Sequence, residues 1–402
     1  MKTKVAVFFG GRSVEHEISV ISALQAINAF DKEKYEVIPV YISKQGKWFT
    51  GQQLLEISNY KDLKGLETKV EEVYMKPIYG DYKIYRSNLK GGIFSKKDPV
   101  VADIHVAFPV LHGSHGEDGM FQGILETIGI PFVGCDTLSS ANGMDKITMK
   151  MILRESGIPV VDYVWFTDRE WLTSRESVDS QIETDLGYPV IVKPANLGSS
   201  VGISKASDRK SLDAAIENAI RFSTRIIVEH MVQDMKEINC SVLGDADHRE
   251  TSVCEEPIKH KDFLTYQEKY GGGEKSGMQS SQKKIPADIP AEVSSKIQEL
   301  ASQTFRVLAC NGVSRIDFMI DNENGDIFVN EINTIPGSLS YYLWEETGIG
   351  FSQLIDKLIS LALKRKRDTD RKTFSYDTNI FSMGKGLKGG LKGGAKGGNK
   401  IK

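Results

Sequence analysis

Residues 330–342 read NEINTIPGSLSYY: an amide, an acid, a second amide, a Pro-Gly turn, then hydroxyls without charge. Glu331 and Asn333 are two apart, so a strand would present both on one face. The preceding stretch, SRIDFMIDNENG, completes a hairpin around the turn DNENG. On its first strand Arg315 and Asp317 share a face, and Ile316 and Phe318 take the other. Counting back from the turn sets Asp317 and Arg315 opposite Val329 and Glu331. Asp317, Glu331 and Asn333 then converge as oxygen ligands with an arginine alongside. Three oxygen donors without His or Cys suit Mg²⁺, which keeps waters and takes phosphate oxygens as well; Mn²⁺ is the other ion for such a set. A solvated sheet face fits the same residues.

Four further stretches carry chemistry of their own. In GYPVIVKPANLGSSVGISK (187–205) a strand delivers Lys193 and a Gly/Ser loop follows. A lysine meets phosphate as a point charge, and small residues let N–H groups and hydroxyls lie over phosphates. A hairpin with a loose turn is the plain alternative. LHGSHGEDGMFQG (111–123) is a Gly-rich strand exit into a helix, which suits an anion or carboxylate at the helix N-terminus. Its two His, without a third ligand, do not make a metal site. Glu15 lies in the first turn of the first helix, where the dipole favours a carboxylate for structural reasons alone. Lys269-Tyr270 falls in a Gly-rich loop, 265–288, that reads as a mobile lid over a reactive intermediate or as plain loop.

These residues need elements to hold them. KVAVFF (4–9), YEVIPVYIS (35–43) and VVADIHVAFPV (100–110) read as strands. A helix follows the first, with Ser13 as N-cap and Val14, Ile18, Ile21 and Leu24 at helical spacing. Strand, Gly turn, helix, strand is the grammar of an open parallel α/β sheet. Residues 44–99 are lysine-rich, weakly periodic and loop-like. IPFVGC (130–135) reads as a short strand and MDKITMKMILRESG as a helix. Three strands, 187–195, 201–206 and 225–232, with a helix near 210–222, suggest a small α+β unit. A mostly antiparallel sheet with helices 290–309 and 350–364 follows. After KRKR (364–367) periodicity is lost, and the chain ends in a Lys-Gly-Gly repeat that cannot bury a core.

The 402 residues predict two or three domains. Their net charge of −3 argues against a nucleic-acid-binding body, and no apolar run approaches the ~20 residues that span a bilayer. The N-terminus lacks the pattern of a signal peptide. Cys135, Cys240, Cys254 and Cys310 are scattered without a CxxC and read as buried thiols of a cytoplasmic protein.

Each motif alone is ambiguous, but their order is specific. HGSHGEDG, MDK, VKPANLGSSVG, a strand ending in Glu, RIDF and NEINTIPG together resemble the D-alanine–D-alanine ligase family of the ATP-grasp superfamily, from about residue 3 to 363. The long segment 44–99 is similar to the longer members, which include the D-alanyl-D-lactate ligases of vancomycin resistance. The resemblance implies a three-domain ATP-grasp fold: an N-terminal α/β substrate-binding domain (1–140), a central domain (141–235) and a C-terminal domain carrying the Mg²⁺ site (236–366); composition alone makes 367–402 a disordered tail. It implies ATP between the last two domains, with Lys146 and Lys193 on phosphates, Lys269 among the nucleotide contacts, Glu229, His230 and Val232 at the adenine edge and Glu237 on the ribose. Asp317, Glu331 and Asn333 would bind two Mg²⁺. Glu15 would anchor the ammonium of the first substrate, His112 would lie near its carboxylate, and Arg315 with the Gly337 N–H would stabilise a tetrahedral oxyanion. Ser199 and Tyr270 would link the loop over the site to Glu15, and the tyrosine favours an amide-forming member.

The implied reaction ligates two D-alanines through an acyl phosphate, in the cytoplasm, for peptidoglycan synthesis; the family is often dimeric. One departure stands out. The family continues x-T-x-x-S after NEINTxPG, and that serine binds the acceptor carboxylate. Here Tyr342 takes its place, with Ser340 two and Ser338 four positions early. An ATP-grasp ligase with another acceptor, such as another amino acid, a hydroxy acid or a peptide, is therefore a second reading. A non-catalytic nucleotide sensor is a third.

Overall fold

The computed structural model describes residues 2–87, 99–258 and 283–375. Lys269, Tyr270, most of the loop 265–288 and the Lys-Gly-Gly repeat lie outside them. Three sheets organise the chain.

The first has seven strands. β1 (Thr3–Gly10) pairs in parallel with β2 (Tyr35–Ile42) and with β7 (Val106–Val110). From β2 the sheet continues antiparallel through β3 (Trp48–Thr50), β4 (Glu71–Met75), β5 (Lys83–Arg86) and β6 (Val100–Asp103). The expected open parallel sheet is thus mixed, and the expected loop 44–99 contains three of its strands. They escape periodicity because they are only 3 to 5 residues long and half-buried. The single strand expected over 100–110 is two. Only Ile104 and His105 separate β6 from β7, which end opposite edges of the hydrogen-bonded order. The sheet therefore curls until its edges nearly meet. IPFVGC contributes one bridge, Phe132 to Ala107, in place of a strand.

The second sheet orders β10 (Ser204–Ala206), β9 (Val190–Pro194), β11 (Arg225–His230) and β8 (Tyr163–Thr167), all antiparallel. Helices Asp168–Asp185 and Arg209–Ala219 close its core around Trp171, Ile182, Leu212 and Val228.

The third orders β14 (Lys283–Lys284), β13 (Arg249–Pro257), β12 (Met235–Gly244), β15 (Gly312–Asp321) and β16 (Ile327–Asn333), also antiparallel. Helix Ala291–Val307 packs Ile297, Leu300 and Phe305 against it. Each such fully buried side chain contributes about 1.5–3 kcal/mol.

Two features bind the first and third bodies together. One core cluster includes Val7, Phe108 and Leu24 from the first and Leu243, Val313, Leu339 and Trp344 from the third. Helix Phe351–Asp370 adds Leu354, Leu358 and Ile359 to that cluster, and runs past the expected end near 364 because Arg365 still caps the carbonyls of Phe132 and Gly134. The helix expected from MDKITMKMILRESG forms as Lys146–Glu155, and a further helix, Thr137–Met144, precedes it. Asp145 breaks between them and its carboxylate caps Thr148 N–H at 2.8 Å. All four cysteines are free and buried, as the sequence suggests. No described helix is long and apolar enough to cross a membrane.

Candidate functional site

The hairpin forms, in a shifted register. Arg315 pairs with Asn333 and Asp317 with Glu331, two places from the pairing expected by counting from the turn. A bulge between Asp317 and Phe318, which leaves Asn330 without a partner strand residue, accounts for one of the two places; the ladder nearer the turn, Phe318 with Val329 and Ile320 with Ile327, is already one place from that count. Arg315 grips Asp317 with both arms, Nε to Oδ1 at 2.7 Å and Nη2 to Oδ2 at 2.8 Å, and Asn333 Nδ2 donates to Oδ2 at 3.1 Å. This fork-on-carboxylate pairing fixes both planes. Burial raises the Asp317 carboxyl's pKa and Glu331 and Glu237 add to that, while Arg315 opposes them.

Lys146 and Lys193 arrive from different elements and each meets a carboxylate. Lys146, first residue of its helix, lies 3.2 Å from Glu331 Oε2 and donates to the Leu197 carbonyl at 3.0 Å. Lys193, on β9, donates to Glu229 Oε2 at 2.6 Å and to Oδ1 of the bulged Asn330 at 3.2 Å. Sequence reasoning missed Asn330, because a bulge leaves no trace in residue spacing. It also missed Lys150, which is fully buried 3.2 Å from Glu229 Oε1. That contact is a charge pair without hydrogen-bond alignment. Burial would raise the Glu229 pKa, but Lys150 and Lys193 outweigh it and hold it at about 2. A signal for Lys150 existed: it stands four residues after Lys146, on the same helix face.

Next to these, His230 is exposed at the end of β11 and Val232 is buried in a small apolar cluster with Val161 and Met319. Glu237 is half-buried on β12, near enough to Asp317 to act on its charge.

On the other side stands Glu15. Its backbone opens helix His16–Ala29, and Ser13, expected as the N-cap, instead accepts the Glu15 N–H at 3.0 Å. Ser199 donates its hydroxyl to Glu15 Oε1. Two glycines press on the same carboxylate. A Cβ on Gly113 would fall 2.5 Å from Glu15 Oε2, and one on Gly198 2.9 Å away. Gly113 also has φ +72°, so both space and backbone require glycine there.

His112 is buried beside Gly113. Its Nε2 meets Ser22 Oγ at 2.9 Å, and its ring also bonds the Ile335 backbone. Burial lowers its pKa to about 4, so the ring is neutral at neutral pH. Ser22 Oγ in turn accepts the Ser338 N–H at 2.9 Å, and Ser338 Oγ donates to Gln25 Oε1 at 2.5 Å. The segment after Gly337 has an unusual backbone: Ser338, Leu339 and Ser340 all have positive φ, near +50°. A left-handed turn of three non-glycine residues costs roughly 1–2 kcal/mol per residue. Ser340 Oγ is fully buried without a hydrogen-bond partner. Tyr342 donates its hydroxyl to Glu255 Oε2 at 2.8 Å, Lys283 pairs with Glu255 Oε1 at 3.0 Å, and the Lys283 ammonium lies 3.9 Å from the Tyr342 ring centroid. Glu255 and Lys283 were not legible in the sequence.

Residues of all three sheets thus meet in one place. Family models for the D-ala D-ala ligase N-terminus and C-terminus match residues 4–135 and 152–360. A D-alanine–D-alanine ligase of Thermosipho melanesiensis is 42% identical over 382 residues, covering 95% of this chain and 99% of that one. Among solved structures, the VanG D-Ala:D-Ser ligase of Enterococcus faecalis has a TM-score of 0.76 at 34% identity, covering 90% of this chain and 100% of its own. The D-alanine-D-alanine ligase of Coxiella burnetii has a TM-score of 0.76 at 29% identity, over 92% and 96%. The three-sheet architecture is accordingly that of the ATP-grasp fold, and the chain belongs to the D-alanine–D-alanine ligase family.

Proposed function

We propose that the chain joins two D-alanines into D-alanyl-D-alanine for peptidoglycan synthesis, with ATP as the energy source. As a member of its family it is an ATP-dependent carboxylate–amine ligase. The observation that carries the reading is the meeting of Glu15 with Ser199 of the Gly/Ser loop, beside the Arg315–Asp317 pair and the lysines. No single domain contains that set.

The reaction has two steps. A carboxylate oxygen of the first D-alanine attacks the γ-phosphorus of ATP, and ADP departs with the electron pair of the broken P–O bond. The amine of the second D-alanine then attacks the acyl carbon and loses a proton, and phosphate leaves as the C–O bond breaks. Phosphoryl transfer of this kind rests on positioning and on neutralised charge. Lys146 and Lys193 supply that charge, each already aimed by a carboxylate, and Glu229 holds Lys193 from below while Lys150 balances it. The apolar cluster beside His230 and Val232 takes the adenine, and Glu237 the ribose hydroxyls. Glu15 accepts the first ammonium, His112 lies by its carboxylate, and Arg315 with the Gly337 N–H receives the oxyanion. Lys269 and Tyr270 complete the nucleotide contacts and the link over Glu15.

Asp317, Glu331 and Asn333 fit two Mg²⁺ ions, or Mn²⁺. Two carboxylates and an amide oxygen converge there, Arg315 already orients one carboxylate, and an ammonium at 3.2 Å from the other marks a cation position. Bound there, the ions neutralise the phosphates. Ser338, Ser340 and Tyr342 line the acceptor end. The Tyr342 hydroxyl is taken by Glu255, which keeps a second acceptor, another amino or hydroxy acid, as the rival reading. The enzyme works in the cytoplasm, as a homodimer.

Phosphate release measured over a panel of D- and L-amino acids, with Mg²⁺ and then EDTA, tests the proposal. Release with D-alanine alone that EDTA abolishes is expected. Release only when a second amino acid accompanies D-alanine would favour the rival.

A further inference from the structure

Glu117 belongs to the HGSHGEDG stretch, and nothing in the reaction above uses it. It is buried, yet both its oxygens are engaged by backbone. Gly113 N–H donates to Oε2 at 2.8 Å and Ile335 N–H to Oε1 at 3.0 Å. The two donors lie 222 residues apart and flank the centre. Gly113 is the glycine packed against the Glu15 carboxylate, and Ile335 precedes Gly337 by two residues. The Ile335 backbone is also bonded by His112, so the one loop grips it twice.

We propose that Glu117 is a positioning residue that sets the spacing between the Glu15 carboxylate and the Gly337 peptide, and thereby the placement of the first amino acid in its site. This inference rests on the ligase reading.

The chemistry requires a carboxyl group. Two N–H donors on two different oxygens need an acceptor at both, and a carboxyl keeps lone pairs on both whether or not it is protonated. An amide keeps one and turns its own donors towards the other N–H, leaving a buried donor unpaired. The arrangement is costly. Burial and the charge of Glu15 push the Glu117 pKa up to about 8, against the pull of the two N–H groups and Arg315. A residue needed only to close its own loop would bond within it. Glu117 spends one oxygen on a strand exit of another sheet.

The steady-state kinetics of the full-length enzyme decide it. In Glu117→Gln, the KM of the first amino acid should rise about tenfold and kcat fall on the order of 10- to 100-fold, because the reacting groups are displaced relative to each other. The KM of ATP should stay within roughly twofold. Glu117→Asp keeps both acceptors but loses reach, and should give the same split with a smaller amplitude. If Glu117→Gln is not recovered folded, the Asp variant decides alone. Wild-type constants in the variant, or an equal loss for ATP and amino acid that follows a lowered melting temperature, would overturn the proposal. The comparison is made on whichever amino acid the wild type turns over, so wild-type failure with D-alanine counts against the ligase reading and leaves this one decidable.

Discussion

The two ends of the site are built on opposite principles. At the end we assign to the phosphates, Lys146 and Lys150 on one helix and Lys193 on a strand face Glu229 and Glu331, and charges already in place do the holding. At the end we assign to the acceptor, three residues in left-handed conformation carry Ser338, Ser340 and Tyr342 into place, tied down by Ser22, Gln25 and Glu255. The first end keeps its cations poised by pairing them before ATP arrives. The second keeps its shape only because neighbours from other elements over-determine a strained turn. Substitutions should therefore act through charge at one end and through backbone at the other.

The sharpest contrast comes from Lys193→Ala. It removes the proposed phosphate contact and leaves Glu229 with Lys150 alone, so kcat/KM for ATP should fall on the order of 10²–10³-fold. Adding Glu229→Gln should lower the melting temperature further, because it takes the facing carboxylate from buried Lys150, and should restore no activity, which would separate the ion pair's structural part from its catalytic part. At the acceptor end, Tyr342→Phe leaves a buried carboxylate oxygen short of a donor at a cost of about 1–3 kcal/mol. Here the KM of the acceptor should change while that of ATP does not; a change in the ATP constant would collapse the distinction between the ends.

A smaller effect concerns pH. The His112 pKa is lowered from 6.5 to about 4 in the folded chain, so on acidification the unfolded chain takes the proton first. Stability from this group is present above 6.5 and is lost as pH falls from 6.5 towards 4. His112→Gln should flatten the unfolding free energy over that window, as measured by denaturant titration. The smallest effect is Ser340→Gly, which relieves the left-handed strain and removes an unpaired buried hydroxyl. Melting temperature should rise by the equivalent of about 1 kcal/mol. A simultaneous rise in acceptor KM would mean that the hydroxyl also serves the substrate.

What the sequence could reveal follows the same division. Alternating strands and motif spacing were enough for the hairpin, for Lys193 at the end of a buried strand and for the small antiparallel sheet. Half of the register difference was missed because bulged Asn330 shifts the pairing by one place without altering composition, and the other half because the turn's own length is not fixed by spacing. β3, β4 and β5 were missed because strands this short bury too few side chains to make a pattern. Glu117, Ser22 and Glu255 act across 87 to 316 residues of chain through tertiary contacts: Ser22 with Ser338, Glu117 with Ile335 and Glu255 with Tyr342. Local spacing carries no record of such pairs. The left-handed run at Ser338–Ser340 defeats local reasoning outright, since propensity favours glycine at each position.

The central claim is the acyl phosphate, and an isotope label reports on it directly. With ATP, Mg²⁺ and D-alanine carrying ¹⁸O in its carboxylate, the account predicts that each phosphate released holds one ¹⁸O, with ADP and D-alanyl-D-alanine formed in equal amounts. Dipeptide formed with unlabelled phosphate, or with AMP as the nucleotide product, would contradict it.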